Sequence, residues 1–449
     1  MRHLGRPLTR RRVLQVGGAA SLAGALGSVS GRQSLGRAVL DLGSGSDATA
    51  SIAGGRVLYR HAAIVDGQTA TRRTDMSVLV ENGRITWISP SDSEPNPGTA
   101  AGLQIYDAGG LTIVPGMVDG HCHLTSPGGP NYIARFKDPP RELLETAEQN
   151  GQLARQAGTT WLREMGSPTV TDPVDGRQRA LALGIRDRWA RRVDRPTVRA
   201  AGTWISAPGG LESGLGIVVR NSDELLAAAM RQLDQGADMI KLYVEAKDSR
   251  QSPWTANEIA RVVTAARQRG ARVGAHAMWL ETARAAVFGG VAALDHGFNL
   301  DAEICSEMRR RGTFLVTTLT VPRNWLRMAQ TTSGYWFSTR AGKRYARRLL
   351  ENGNASVALA RRAGVKIAAG TDFGGGSPRA GQLAWEVESL VTAGLQPWQA
   401  IGAATWRGGD LLRSSVAGRV RVGGPADFFL VDGDPYSDPA ALWNVRRLA

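Results

Sequence analysis

Pro115-Gly116-Met117-Val118-Asp119-Gly120-His121-Cys122-His123 ends a short apolar run with two histidines two residues apart. Side chains of a strand alternate between faces, so His121 and His123 share one side. Cys122 must then point the other way, into the layer between sheet and helices. Downstream, the chain repeats a short apolar strand followed by an amphipathic helix. Eight candidate strands end near His123, Glu164, Thr203, Tyr243, His276, His296, Leu319 and Asp372. Segments 222–236 and 256–270 have helical periodicity and stop at Gly236 and Gly270. Eight such units over residues 116–409 predict an α/β fold, a (β/α)8 TIM-type barrel. Its chemistry would lie at the C-terminal strand ends. An open doubly wound sheet is the rival, but no glycine-rich phosphate loop follows the first strand.

Strand signals continue on both sides of this middle. Residues 56–65 and 76–88 read as strands, with Asn82-Gly83 supplying a tight hairpin turn. A third apolar run, 110–114, leads into Pro115-Gly116, and 418–431 is strand-like again. The reading is a small β domain assembled from both ends of the chain, in segments 51–115 and 410–449.

Residues 1–50 read as an export signal and linker. The first 12 residues hold Arg2, Arg6, Arg10, Arg11 and Arg12, and the first acid is Asp41. A weakly apolar, glycine- and alanine-rich run follows the arginines, which is a signal-peptide layout. Thr9-Arg10-Arg11-Arg12-Val13-Leu14 looks like a twin-arginine signal, read by a receptor and not used as an anchor. Ala48-Thr49-Ala50 offers a small-residue cleavage site. A bacterial periplasmic or extracellular location is expected, with no membrane association beyond export.

Composition narrows the rest. The 449 residues are 42% hydrophobic and 21% charged, which excludes a wholly disordered chain, a collagen and a coiled coil. No uninterrupted apolar stretch is long enough to span a bilayer. Two cysteines, Cys122 and Cys305, cannot make a disulfide framework. Lys+Arg is 55 against 40 Asp+Glu, a net charge of +15. Only Lys137, Lys241, Lys247, Lys343 and Lys366 are lysines, and the basic residues are spread along the chain. Neither a basic stripe nor interleaved aromatics mark a nucleic-acid surface, so no nucleic-acid partner is expected.

The chain has six histidines, and His121, His123, His276 and His296 all fall at predicted strand ends. Each alone could be a packed, hydrogen-bonded core histidine. Asp372 ends the run Ile367-Ala368-Ala369-Gly370-Thr371, where an acid is costly unless paired or metal-bound. Lys241, in Met239-Ile240-Lys241-Leu242-Tyr243, is equally costly when charged, unless it pairs with a neighbour such as Glu245. Together these groups suit a borderline divalent ion such as Zn²⁺. Four histidines and an aspartate exceed the three protein ligands of an ordinary catalytic site, so a second ion is expected. A lysine amine that has taken up CO₂ would supply the anionic bridge between the two.

These motifs, with Gly274-Ala275-His276-Ala277, Leu294-Asp295-His296-Gly297 and Gly370-Thr371-Asp372, resemble the amidohydrolase superfamily over about residues 55–445. The resemblance implies the barrel plus a flanking β-sandwich-like domain. The order of ligands is similar to the binuclear subtype with a carboxylated lysine. Gly158-Thr159-Thr160-Trp161-Leu162-Arg163-Glu164-Met165-Gly166 and Ile240-Lys241-Leu242-Tyr243 look most like the metal-dependent prolidases and related aminoacyl hydrolases. That likeness implies that His121, His123 and Asp372 bind one metal and His276 and His296 the other, with Lys241 bridging as carbamate. It further implies that Tyr243 hydrogen-bonds the tetrahedral intermediate. Asp372 would pass the water's proton to the leaving amine.

The expected activity is hydrolysis of amide bonds in small dipeptide-like or N-acyl amino-acid substrates. Arg135, Arg163 and Arg323 are candidates to hold a substrate carboxylate, and Trp161 and Trp325 to shape the pocket. Solvated loops in an arginine-rich protein are the alternative for these residues. Other readings are hydrolysis of cyclic amides, lactones or organophosphates, a mononuclear deaminase or imidazolonepropionase-like enzyme, and a catalytically silent exported binding protein. The expected partner is a small-molecule substrate, and the protein is expected to form a homo-oligomer.

Overall fold

The computed structural model describes residues 55–96, 102–246 and 250–449. The export signal assigned to residues 1–50 lies outside the described residues. Strands β1 (Arg56–Ile64), β2 (Arg73–Glu81), β3 (Arg84–Pro90), β4 (Leu103–Asp107) and β5 (Leu111–Pro115) lead into the barrel. The barrel strands are β6 (Met117–Cys122), β7 (Thr159–Glu164), β8 (Thr197–Ala200) and β9 (Met239–Tyr243), then β10 (Arg272–Ala277), β11 (Ala293–His296), β12 (Phe314–Thr317) and β13 (Lys366–Ala369). Strands β14 (Phe428–Asp432) and β15 (Val445–Leu448) end the chain.

Neighbouring barrel strands pair in parallel from β6 to β8 and from β9 to β13. A parallel bridge from Ala201 to Met239 joins the two arcs, and one from Cys122 to Phe373 closes the ring. Closure needs close backbone approach between β6 and β13. A Cβ on Gly120 would sit 2.8 Å from the Ala369 carbonyl oxygen, and one on Gly370 would sit 2.7 Å from His121 Cβ. Both positions therefore need glycine.

The third barrel strand departs from the expected end at Thr203. The chain leaves β8 at Ala200 and rejoins the sheet at Ile205–Ser206, which pairs with Leu242 and Tyr243 of β9. Thr203 lies in the gap, its backbone N–H donating to Gln232 Oε1 at 2.6 Å. Gln232 is buried on the helix Ser222–Asp234, so a helix side chain replaces the ladder there.

The two ends of the chain form one sheet. Strand β5 pairs antiparallel with β14, β14 with β15 and β1 with β2, while β1 pairs in parallel with β4. The β2–β3 hairpin turns at Asn82 and Gly83, whose φ values are 50° and 72°. Val57, Tyr59, Ile64, Val78, Ile85 and Phe428 make a separate apolar core beneath this sheet. The fold is thus a TIM-type barrel with a small β-sandwich-like domain built from both ends. Strand β5 runs directly into β6, so the flanking domain anchors the strand that carries His121 and His123.

Candidate metal centre

His121 and His123 project from the end of β6 to the barrel interior, and both are buried. Cys122 points the other way, its Sγ 3.6 Å from the Arg163 carbonyl oxygen, as alternation predicts. His276 comes from β10, His296 from β11, and Asp372 from the turn after β13. His121, His296 and Asp372 each offer one ligand atom, and these atoms lie within 4.8 Å of one another. His123 Nε2 is 3.3 Å from Asp372 Oδ1, and His121 Nε2 is 3.5 Å from it. The His276 ring centroid is 4.4 Å from that of His296, and Tyr243 stacks on His276 at 4.0 Å. Lys241, Tyr243 and all four histidines line one cavity with Asp372 and Gly375.

Hydrogen bonds orient the ligand candidates. His123 Nδ1 meets the Gly166 carbonyl oxygen at 2.7 Å, and His296 Nδ1 meets Thr318 Oγ1 at 2.9 Å. Each contact turns the opposite nitrogen toward the centre, the arrangement that ligating histidines adopt. His276 Nε2 lies 3.3 Å from Glu245 Oε1, and the same oxygen accepts from the Met278 N–H at 2.7 Å. Asp119 accepts from Thr371 Oγ1 at 2.6 Å, the Thr371 N–H at 3.0 Å and the His121 N–H at 3.2 Å. It ties the His121 and Asp372 strand ends together. His296 and Asp372 both adopt left-handed backbone, with φ of 75° and 55°. Such conformations persist in non-glycine residues where the surroundings over-determine them, commonly at functional sites.

Lys241 is buried, and its ammonium pairs with Asp295, not with Glu245. Asp295 also lies 2.9 Å from Arg163 Nη1 and 3.4 Å from His121 Nδ1. Burial pushes Asp295 up, but Lys241, Arg163 and His121 outweigh it and hold the carboxyl well below its usual range. Burial lowers the Lys241 amine, against the pull of Asp295. Burial and then Lys241 bring His121 down to about 4, so its imidazole is neutral and able to bind a metal. Burial raises Asp372, but the surrounding histidines bring it down to about 2, so it is a carboxylate.

These groups fit a divalent cation. Four imidazoles and one carboxylate converge in a buried pocket whose floor is kept open by glycine. A Cβ on Gly375 would lie 2.0 Å from His123 Cδ2 and 2.4 Å from Asp372 Oδ1.

The five residues expected to contact substrate lie elsewhere. Trp161 donates from Nε1 to Asp427 Oδ2 at 2.9 Å, joining the barrel to the segment before β14. Arg163 sits beneath the ligands, donating to Asp295 and to the Gly120 carbonyl oxygen at 3.1 Å. Arg135 pairs with Asp138. Arg323 packs over Trp385 and donates to Ser389 Oγ at 2.6 Å. Trp325 stacks on Phe337 at 4.2 Å inside the core. The observed wall is instead Tyr132, Ile133, Phe136, Trp204, Leu211, Glu212 and Leu215. These residues carry no motif of their own. Only the position of their loops after the first and third barrel strands could have marked them.

The Amidohydrolase family model matches residues 112–448. An uncharacterized protein of Mycobacterium tuberculosis (strain ATCC 25618 / H37Rv) is 28% identical over 337 residues, 74% of this chain and 80% of that protein. An imidazolonepropionase of Salinispora arenicola is 26% identical over 410 residues, 84% of this chain and 90% of its own. Among solved structures, a Xaa-Pro dipeptidase with methionine bound in its active site superposes with a TM-score of 0.74 at 25% identity, covering 87% of this chain and 97% of its own. The family span begins in β5, takes in every barrel strand and ends in β15; the chain belongs to the amidohydrolase family, whose fold and divalent-metal site it carries.

Proposed function

We propose that the protein is an exported hydrolase that cleaves amide bonds of small dipeptide-like or N-acylated substrates with two divalent cations. The convergence of His121, His123, His276, His296, Lys241 and Asp372 on one buried cavity carries the reading. His121, His123 and Asp372 would hold one ion, and His276 and His296 the other. Lys241 as carbamate would be the shared anionic ligand. When bound, the ions, for which Zn²⁺ suits this donor set, supply Lewis acidity and lower the pKa of water toward neutrality.

The chain's own groups would do the rest. Asp372, ionised at neutral pH, accepts a proton from the attacking water and returns it to the leaving nitrogen. Tyr243, on the same face of β9 as Lys241, donates its hydroxyl proton in a hydrogen bond to the substrate carbonyl oxygen as negative charge grows there. Glu245, Thr318 and the Gly166 carbonyl hold the imidazole rings in place. The likeness to a Xaa-Pro dipeptidase supports an amide substrate.

A second reading has an observation of its own. Lys241 pairs with Asp295, and an imidazolonepropionase is among the relatives. In that reading Lys241 is structural and one ion suffices. Metal content separates the two: elemental mass spectrometry on protein prepared with bicarbonate and no chelator, beside a panel of dipeptides, N-acyl amino acids and their C-terminal amides. Two ions per chain and amide turnover support the binuclear hydrolase. One ion moves the assignment to the mononuclear enzyme. Folded protein that binds no metal when reloaded refutes both.

A further inference from the structure

The cavity wall names a narrower substrate class, an inference that rests on the hydrolase reading above. We infer that, among dipeptide-like and N-acylated substrates, the site takes those with a bulky apolar or aromatic group and a blocked, uncharged carboxyl end, and discriminates against a free carboxylate.

Phe136, Trp204 and Leu215 are buried and form one apolar cluster, against which Ile133 and Leu211 pack. All five line the cavity beside the ligand candidates. Phe136 and Trp204 meet edge-on with ring centroids 5.2 Å apart, and both face His123, at 6.0 Å and 5.3 Å. The apolar wall therefore reaches the reacting end of the site and is not confined to its rim. Aromatic surface in such a position is suited to a large hydrophobic group with its own ring.

Charge points the same way. Among the described lining residues, Glu212 is the only ionisable side chain beyond the ligand candidates and the two tyrosines. Lys137 bridges to it from the opposite loop at 3.4 Å, both side chains being partly exposed. A substrate carboxylate would thus face an apolar wall and, at its rim, a lysine already engaged by Glu212. Burying an anion without a partner is costly. The arginines that could have met it are committed: Arg135 to Asp138, Arg163 to Asp295 and Arg323 to Ser389.

The test is a matched pair, N-benzoylglycine and its N-methylamide, with benzoate release measured on the metal-loaded protein. Both share the scissile benzamide and differ in one charge. The expected kcat/KM ratio favours the neutral member by about 10- to 100-fold, in the range a misfit in an apolar pocket produces. Glu212→Gln should move the ratio toward the acid, and Trp204→Ala should lower kcat/KM for the neutral member. Equal rates, or a preference for the acid, overturn the inference while leaving the hydrolase reading intact. If neither compound is cleaved, calorimetry of the same pair still decides. Tighter binding of the amide supports the substrate class and counts against the hydrolase. Equal binding, tighter binding of the acid, or no binding by either overturns it.

Discussion

Asp295→Asn isolates the group that holds the centre from below. The side chain is fully buried and joins Lys241, Arg163 and His121. Asparagine keeps the shape and removes the charge. Lys241 and Arg163, 2% and 4% exposed, are then left without a carboxylate partner among the described residues. Removing one member of a buried ion pair costs about 3–5 kcal/mol, because the remaining charge stays desolvated. That is a shift of about 150- to 5,000-fold in the folding equilibrium. With a urea slope of about 3 kcal/mol/M, the midpoint of the chelator-treated protein falls by roughly 1 M or more. Arg163→Met on top of Asp295→Asn removes a stranded cation. The double variant should therefore be more stable than the sum of the single penalties by about 1–3 kcal/mol. His121 Nδ1 then faces a neutral amide in place of the carboxylate 3.4 Å away, so metal affinity falls about 10- to 100-fold. Equilibrium urea unfolding and metal titration against a chromophoric chelator read both effects. A variant that unfolds at the wild-type midpoint and binds metal as tightly would falsify the claim that Asp295 organises the site.

Asp372→Asn should retain much of the metal and lose turnover by about 10²- to 10⁴-fold, the range of a missing general base; wild-type kcat in the metal-loaded variant rules the role out. Lys241→Ala should abolish the second ion, and two tightly held ions in that variant, counted by elemental mass spectrometry, refute the carbamate bridge. Trp161→Phe removes the donor to Asp427 and should cost about 1–3 kcal/mol in thermal or urea unfolding, because a half-buried carboxylate loses a partner. The same variant should keep the wild-type KM, and a several-fold change in KM would restore Trp161 to the substrate pocket.

How far the sequence could carry the reading follows from which interactions are local. The barrel was legible because period-two strands and helix stop signals lie within each unit. The flanking sheet was legible from apolar runs at both ends, but β4 was not. Its residues Leu103–Asp107 are largely exposed, Ile105 among them, and the alternation Leu103-Gln104-Ile105 is too short to betray the strand. The substrate wall was illegible for a related reason. Phe136 follows the first barrel strand and Trp204 and Leu215 the third, and only the closed ring of strands brings them together beside His123.

Asp295 shows the sharper limit. Strand alternation assigns Asp295 and His296 to opposite faces of β11, which makes the aspartate a residue of the outer layer whenever the histidine is a ligand. Yet both reach the interior: Asp295 contacts His121 Nδ1 at 3.4 Å, and the His296 ring lies 4.8 Å from that of His121. The alternation fails at His296 itself, whose φ of 75° takes it out of the extended region just as the strand ends. Asp372 leaves β13 through the same kind of turn, with φ of 55°. A period-two rule is valid only while the backbone stays extended, and His296 and Asp372 stand where it stops. Reading the Leu294-Asp295-His296-Gly297 motif as a turn, not as the last residues of a strand, would have put the aspartate under the lysine.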